Sequence, residues 1–388
     1  MVKVEGEKPR NIFQRPVVAL TIILMVGLGV GFWAGERSSS RYLDYSELDE
    51  VYKIVAQRFD GEVNKAKMLE GAKRGMVEGL GDPYSQFFTR QDKEEFFDDL
   101  EGRFGGIGIE MTNKNGLLMI ADVLADTPAE KAGLQVDDVI AKVDENETST
   151  WSSAKAAKVI RGEEGTKVKI MVIRDGAAKE FEITRETISV PSVSWEVEDG
   201  VGILKISRFA EGDTTNLTRK AADEFVAQKV KGVVLDLRGN GGGYVKSAVD
   251  VASLWLTKND LVVSEKSRGK VNRKEVAGDT NTLKGLPTVI LLDGGSASAS
   301  EIVAGALQDH GLPTVVGTKS YGKGSMQGTF TLSRNNSLHL TIAKWYTPND
   351  RNIDREGIVP DEEVKFDKEA FGKGVDTQLS RALEILRK

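Results

Sequence analysis

Four apolar runs recur behind Pro191: VGILKIS from Val201, GVVLDLR from Gly232, TVILLD from Thr288 and LPTVVGT from Leu312. Runs of this length without polar alternation suit strands covered on both faces. The segments LTRKAADEFVAQ, VKSAVDVASLWL and ASEIVAGALQDH lie between and after them and carry helical periodicity. Strands that alternate with helices predict an α/β fold with a layered core and buried strands. This core is expected over residues 188–366, with a C-terminal helix over 367–388.

Upstream the pattern changes twice. Residues 102–187 read as a compact mixed domain. GRFGGIGIEMTN opens it as a Gly-rich turn leading into a strand, and TKVKIMVIRDGAAKEFEITRE closes it as a hairpin around Arg174-Asp175-Gly176. Residues 42–100 read as a small helical module. SELDEVYKIVAQRF sets Leu48, Val51, Tyr52, Val55 and Phe59 on one face, Ser46 is the expected N-cap, and GDPYSQF is the closing turn.

From Pro16 to Gly35 no side chain is charged. About 20 apolar residues span a bilayer as a helix. Lys3, Lys8, Arg10 and Arg15 precede the run, so residues 1–15 are expected to be a cytoplasmic tail and 16–35 a single-pass anchor to the cell membrane. The part beyond Glu36 then lies on the extracytoplasmic side. A cleaved signal peptide is the rival reading. Its apolar region is usually ~7–15 residues and ends in small residues, whereas this run is longer and ends FWAGE.

Composition excludes whole classes of chemistry. The chain has no cysteine, so disulfides, thiolate metal sites and a cysteine nucleophile are ruled out. Its two histidines, His310 and His339, cannot make a histidine-rich metal site, and no metal or other cofactor is expected. A net charge of −6 gives no reason to expect nucleic acid.

Three motifs carry the chemistry. In GGSASASEIVAGAL the strand TVILLD ends in a tight glycine turn, and a helix starts near Ala299 or Ser300. The unpaired N–H groups at a helix start favour negative charge. A serine there becomes a nucleophile only if another group takes its proton. Neither histidine sits near a second catalytic signal. YGKGSMQGTF offers Lys323 between two glycines, with Gln327 four residues on, at helical spacing. A lysine acts as a base only when burial lowers its pKa, and an ordinary surface loop is the plainer reading of these residues. Gly239-Asn240-Gly241-Gly242-Gly243 follows GVVLDLR; it matches a phosphate loop poorly and suits close backbone approach to a bound carbonyl.

In this order and spacing the chain resembles the carboxy-terminal processing peptidases, PDZ-containing serine proteases of the tail-specific type. The motifs are GDPYSQFFT, RFGGIGIEM, TPAEKAGLQVDDVI, VIRGEEGTKVKIMVIR, LDLRGNGGG, GGSASASEI, YGKGSMQ and YTPNDRNIDREGIVPD. The resemblance implies a Clp/crotonase-like α/β peptidase core and a PDZ domain over 102–187. It implies Ser298 as nucleophile, Lys323 as base and Gln327 as the residue orienting it. The oxyanion hole would use the N–H of Ala299 and of Gly242 or Gly243. Gly105, Gly106, Ile107 and Gly108 match the loop that binds a substrate carboxylate, with Ile109 following, and the chain end adds as a strand beside the Ile107–Met111 run. Gly241 stands where the family usually has proline. Ser300 followed by Glu301 suits capping of the helix. Substrates are then polypeptides with accessible C-termini, and a homo-oligomer is compatible with the sequence. The alternative function is a membrane-anchored PDZ scaffold with a silent core.

Overall fold

A computed structural model describes residues 44–114 and 116–387. The expected anchor over residues 16–35 lies outside them. Among the described residues no helix is long and apolar enough to cross a membrane. The described residues fall into two compact units, one ending at Ala72 and the other starting at Lys73.

α1 (Ser46–Arg58) has no buried residue, and its N-cap is Tyr45 rather than Ser46. The backbone N–H of Ser46 donates to Asp44 instead. α2 (Lys65–Glu78) follows. GDPYSQF is not only a turn, because its end forms β1 (Gln86–Phe88). α3 (Arg90–Glu101) starts with a capping box: Thr89 and Asp92 each accept the other's backbone N–H. The helix ends at Gly102, whose φ of 68° is the left-handed cap conformation.

The mixed domain then runs β2 (Arg103–Gly106), β3 (Ile109–Lys114), β4 (Leu117–Val123), α4 (Pro128–Ala132), β5 (Val139–Val143), β6 (Asn146–Glu147), α5 (Ser153–Ile160), β7 (Lys167–Arg174), β8 (Ala177–Thr184) and β9 (Glu186–Ser189). Its main sheet has the order β3-β4-β5-β7-β8, so β3 is an edge strand. β2 and β9 form a separate antiparallel pair. Alternate residues Val168, Ile170 and Val172 of β7 point inward and pack with Ile120, Ile140 and the α5 residues Ala156 and Ile160.

The last region contains β10 (Val193–Glu198), β11 (Val201–Ile206), α6 (Asp213–Ala227), β12 (Gly232–Asp236), α7 (Val245–Ala252), β13 (Leu261–Ser267), β14 (Lys270–Val276), β15 (Thr288–Leu292) and α8 (Ala299–Asp309). It continues with β16 (Pro313–Gly317), β17 (Ser325–Thr331), β18 (Ser337–Tyr346), β19 (Glu362–Glu363), α9 (Lys368–Gly372) and α10 (Thr377–Leu386). The expected single C-terminal helix is therefore two. One sheet has the order β10-β11-β12-β15-β16-β19, antiparallel at its first pair and parallel thereafter. The four apolar runs of the sequence are its central strands.

Both faces of that sheet are covered, which is why the runs do not alternate. Val233, Leu235, Ile290 and Leu292 face α6, α7 and α8 through Phe225, Val251, Ile302 and Leu307. Their neighbours Val234, Val289 and Leu291 face α10 through Ala382 and Leu383. A second sheet, in the order β1-β18-β13-β14 with β17 also on β18, lies beside this sandwich. Thus β1, from a segment more than a hundred residues upstream of the core, pairs with β18.

Candidate active site

The nucleophile candidate sits where β15 hands over to α8. Two glycine-bearing loops meet there and are stapled by buried side chains. Asn240 is fully buried. Its Nδ2 donates to Ile206 O at 2.8 Å and its Oδ1 accepts the Gly242 N–H at 2.9 Å. Its own carbonyl accepts the Ala297 N–H and the Ser300 hydroxyl. Ser296 Oγ donates to Leu237 O. Ser296 and Ser300 are therefore wholly buried struts between the loops. Ser300 does not cap the helix as expected, because Ser298 is the N-cap residue.

Ser298 has φ 54° and ψ −113°, a conformation costly for a non-glycine residue. Gly242 explains how it fits. A Cβ at position 242 would lie 2.7 Å from Ser298 Cβ and 2.9 Å from Ala297 O, so only glycine allows this approach. The Gly242 N–H is already given to Asn240. Among the described residues nothing accepts the N–H of Ala299 or of Gly243.

Glu301, to which the sequence pattern gives only a helix-capping role, joins the two candidate loops. It is fully buried. Its Oε2 accepts the backbone N–H of Ser298 at 2.7 Å and that of Lys323 at 2.9 Å. Its Oε1 accepts the Gly322 N–H and the Ser320 hydroxyl. One carboxylate thus fixes both candidate loops. The only sequence signal was its place three residues after Ser298, in the first turn of α8.

Ser298, Lys323 and Gln327 all line one cavity of about 760 Å³. Burial pushes the Lys323 amine below the usual lysine range, and the charges of Glu301 and Asp82 pull it part of the way back. Among the described residues the amine makes no hydrogen bond or ion pair; it lies over the Tyr84 ring, 5.3 Å from the centroid. Gln327 does not reach it. Residues Ser325–Thr331 form β17, so positions 323 and 327 are not helical neighbours. The Gln327 amide donates to Ser325 Oγ at 2.9 Å and Thr341 Oγ1 at 3.2 Å.

His339, which the sequence places near no second catalytic signal, also lines this cavity, packed against Phe88, Phe96 and Phe97. Burial and then the charges of Lys323 and Lys93 hold its pKa below the ordinary value. His310 is the C-cap of α8, with Nε2 2.9 Å from Leu261 O, far in role from catalysis.

In the mixed domain, Gly105 and Gly106 lie in β2 and pair with β9. Ile107 and Gly108 form the link to β3, which begins at Ile109. No described residue accepts the N–H of Ile107 or Gly108. Among the described residues no cluster of side chains could hold a metal ion.

A model of peptidase family S41 matches residues 200–364, and a PDZ domain model matches 105–184. The model for the N-terminal domain of the activating protease CtpB matches 34–92. The chain is 35% identical over 349 residues to a probable CtpA-like serine protease of Staphylococcus haemolyticus, covering 89% of this chain and 69% of that one. It is 35% identical over 348 residues to a carboxy-terminal-processing protease of Bartonella bacilliformis, covering 88% and 80%. Among solved structures, a photosystem II D1 C-terminal processing protease aligns with a TM-score of 0.52 at 25% identity, over 83% of this chain and 87% of the other.

Proposed function

The chain belongs to the PDZ-containing C-terminal processing proteases of peptidase family S41, which are serine-type peptidases, and from that premise we propose that Ser298 is its nucleophile and Lys323 its general base. The observation that carries this reading is the shared Glu301 anchor, which ties the backbone of both residues at the wall of one cavity. The neutral amine takes the Ser298 proton as the oxygen attacks a peptide carbonyl. For this step the lysine side chain must swing from the Tyr84 ring to the hydroxyl. The free N–H groups of Ala299 and Gly243 receive the oxyanion, since the Gly242 N–H is occupied. The protonated lysine gives its proton to the leaving amine, and the neutral form then activates water to hydrolyse the acyl-enzyme. Gln327 acts from β17, and its amide must leave Ser325 and Thr341 to touch the amine.

Substrates are polypeptides with accessible C-termini. The supporting observations are the edge strand β3 and the unoccupied amides of Ile107 and Gly108 ahead of it. The uncharged run 16–35 behind four basic residues would hold the enzyme at the cell membrane with its catalytic part outside. Carbonate washing of membranes tests this: the full chain should stay in the pellet, and release of the uncleaved chain would refute it. Cleavage of an unstructured protein by Ser298→Ala and by Lys323→Ala tests the dyad. Both variants should be inactive, and wild-type turnover in either would reject the assignment. A wild type that itself cut nothing would instead revive the silent scaffold.

A further inference from the structure

The Lys323 side chain is half-buried, and its amine bonds neither the serine nor the glutamine. It lies over the face of Tyr84, 5.3 Å from the centroid, within the range where a ring attracts an ammonium. Tyr84 comes from Gly-Asp-Pro-Tyr-Ser, ahead of the PDZ domain and outside the residues matched by the peptidase model.

The turn that presents it is rigid. Asp82 Oδ1 accepts the Tyr84 N–H at 3.2 Å, and Asp82 Oδ2 accepts the Ser85 hydroxyl at 2.5 Å. Ser85 Oγ in turn accepts the Thr341 N–H of β18, and β1 pairs with the same strand just beyond. The ring therefore holds its place relative to the sheet carrying the cavity wall. Burial, and then the neighbouring Tyr321, push the pKa of its hydroxyl up to about 12, so it stays a neutral phenol.

We propose that Tyr84 is a positioning residue for the general base, its ring face docking the Lys323 amine at the edge of the cavity that holds Ser298. This rests on Lys323 being the base. Docking stabilises the ammonium and opposes the effect of burial, so the ring sets the pH at which the base becomes available. The other groups facing the amine are Glu301 from α8, Asp82 from the turn and His339 from β18. The first two also favour the ammonium, while burial and the charge of Lys323 hold the pKa of His339 below its ordinary value.

The test is the pH dependence of kcat/KM for an unstructured protein substrate, measured on the full chain. The variants are Tyr84→Phe, Tyr84→Leu and chains with 4-fluoro- or 3,5-difluorophenylalanine in place of Tyr84. Fluorine drains the ring face of negative charge while keeping its shape. Tyr84→Phe should keep the wild-type midpoint. The fluorinated rings should lower it stepwise, and Tyr84→Leu should lower it by about 0.5 to 1 pH unit. If Tyr84→Leu does not fold, the isosteric fluorinated series decides alone. Midpoints that ignore fluorination would overturn the proposal. Lys323→Ala separates the two ideas. Wild-type turnover there removes the base assignment itself. An inactive Lys323→Ala alongside an unmoved fluorinated series removes only the role of Tyr84.

Discussion

The backbone N–H groups of Ser298 and Lys323 end on the same atom, Oε2 of Glu301, at 2.7 and 2.9 Å. The two residues are 25 positions apart in sequence and belong to different loops. Their common anchor fixes the distance between their Cα atoms while leaving the lysine side chain free to move.

Removing that anchor should therefore cost both stability and rate. Glu301→Ala strands three N–H donors and the Ser320 hydroxyl. Each unsatisfied buried group costs about 1–3 kcal/mol. Thermal unfolding should occur many degrees lower. Glu301→Gln keeps the shape but turns an NH2 towards N–H donors. It should fold and lose about 100-fold in kcat through misplacement of the two groups. Calorimetry together with turnover checks this pair.

Gly242→Ala should be folded and almost inactive. The added methyl would meet Ser298 Cβ at 2.7 Å, and φ at 242 is 108°. Displacing Ser298 and the neighbouring oxyanion N–H groups should lower kcat by about 100- to 1000-fold. Turnover and a thermal melt on the same preparation separate the local effect from unfolding.

Activity should rise with pH. The proposed mechanism requires Lys323 neutral, and burial lowers its pKa below the usual lysine range against the pull of Glu301 and Asp82. The kcat/KM profile should therefore reach half its maximum below the pH at which a free lysine deprotonates. Lys323→Arg keeps its charge throughout and should be inactive across the whole range. A flat profile in the wild type would contradict this.

Peptides with a free C-terminus should bind the full chain more tightly than their amidated twins. A carboxylate taking two backbone N–H groups gains charge-assisted bonds that an amide cannot match. The dissociation constants should differ by about tenfold or more, readable by fluorescence anisotropy. Equal affinities would show that Ile107 and Gly108 do not read the carboxylate.

Much of the core was legible in the sequence because strands covered on two faces are continuous apolar runs. Thr288–Leu292 and Gly232–Asp236 are buried throughout and read as strands for that reason. β14 is exposed along most of its length and polar, so nothing in SRGKVNRKEV announced a hairpin. β17 was misread because a lysine and a glutamine four apart invite a helix. Pairing with β18 imposes a period of two instead. Glu301 escaped because its partners are backbone N–H groups, which leave no mark on side-chain pattern. Tyr84 escaped because only tertiary structure brings a residue from the turn ahead of α3 to Lys323.

The most direct test of the central claim is covalent. The full chain is treated with a fluorophosphonate at the pH of maximal activity, digested and mapped by tandem mass spectrometry. One adduct is expected, on Ser298, forming in step with loss of turnover and slowed at least 100-fold in Lys323→Ala. Complete inactivation with Ser298 unmodified, or unchanged turnover once Ser298 is fully labelled, would contradict it.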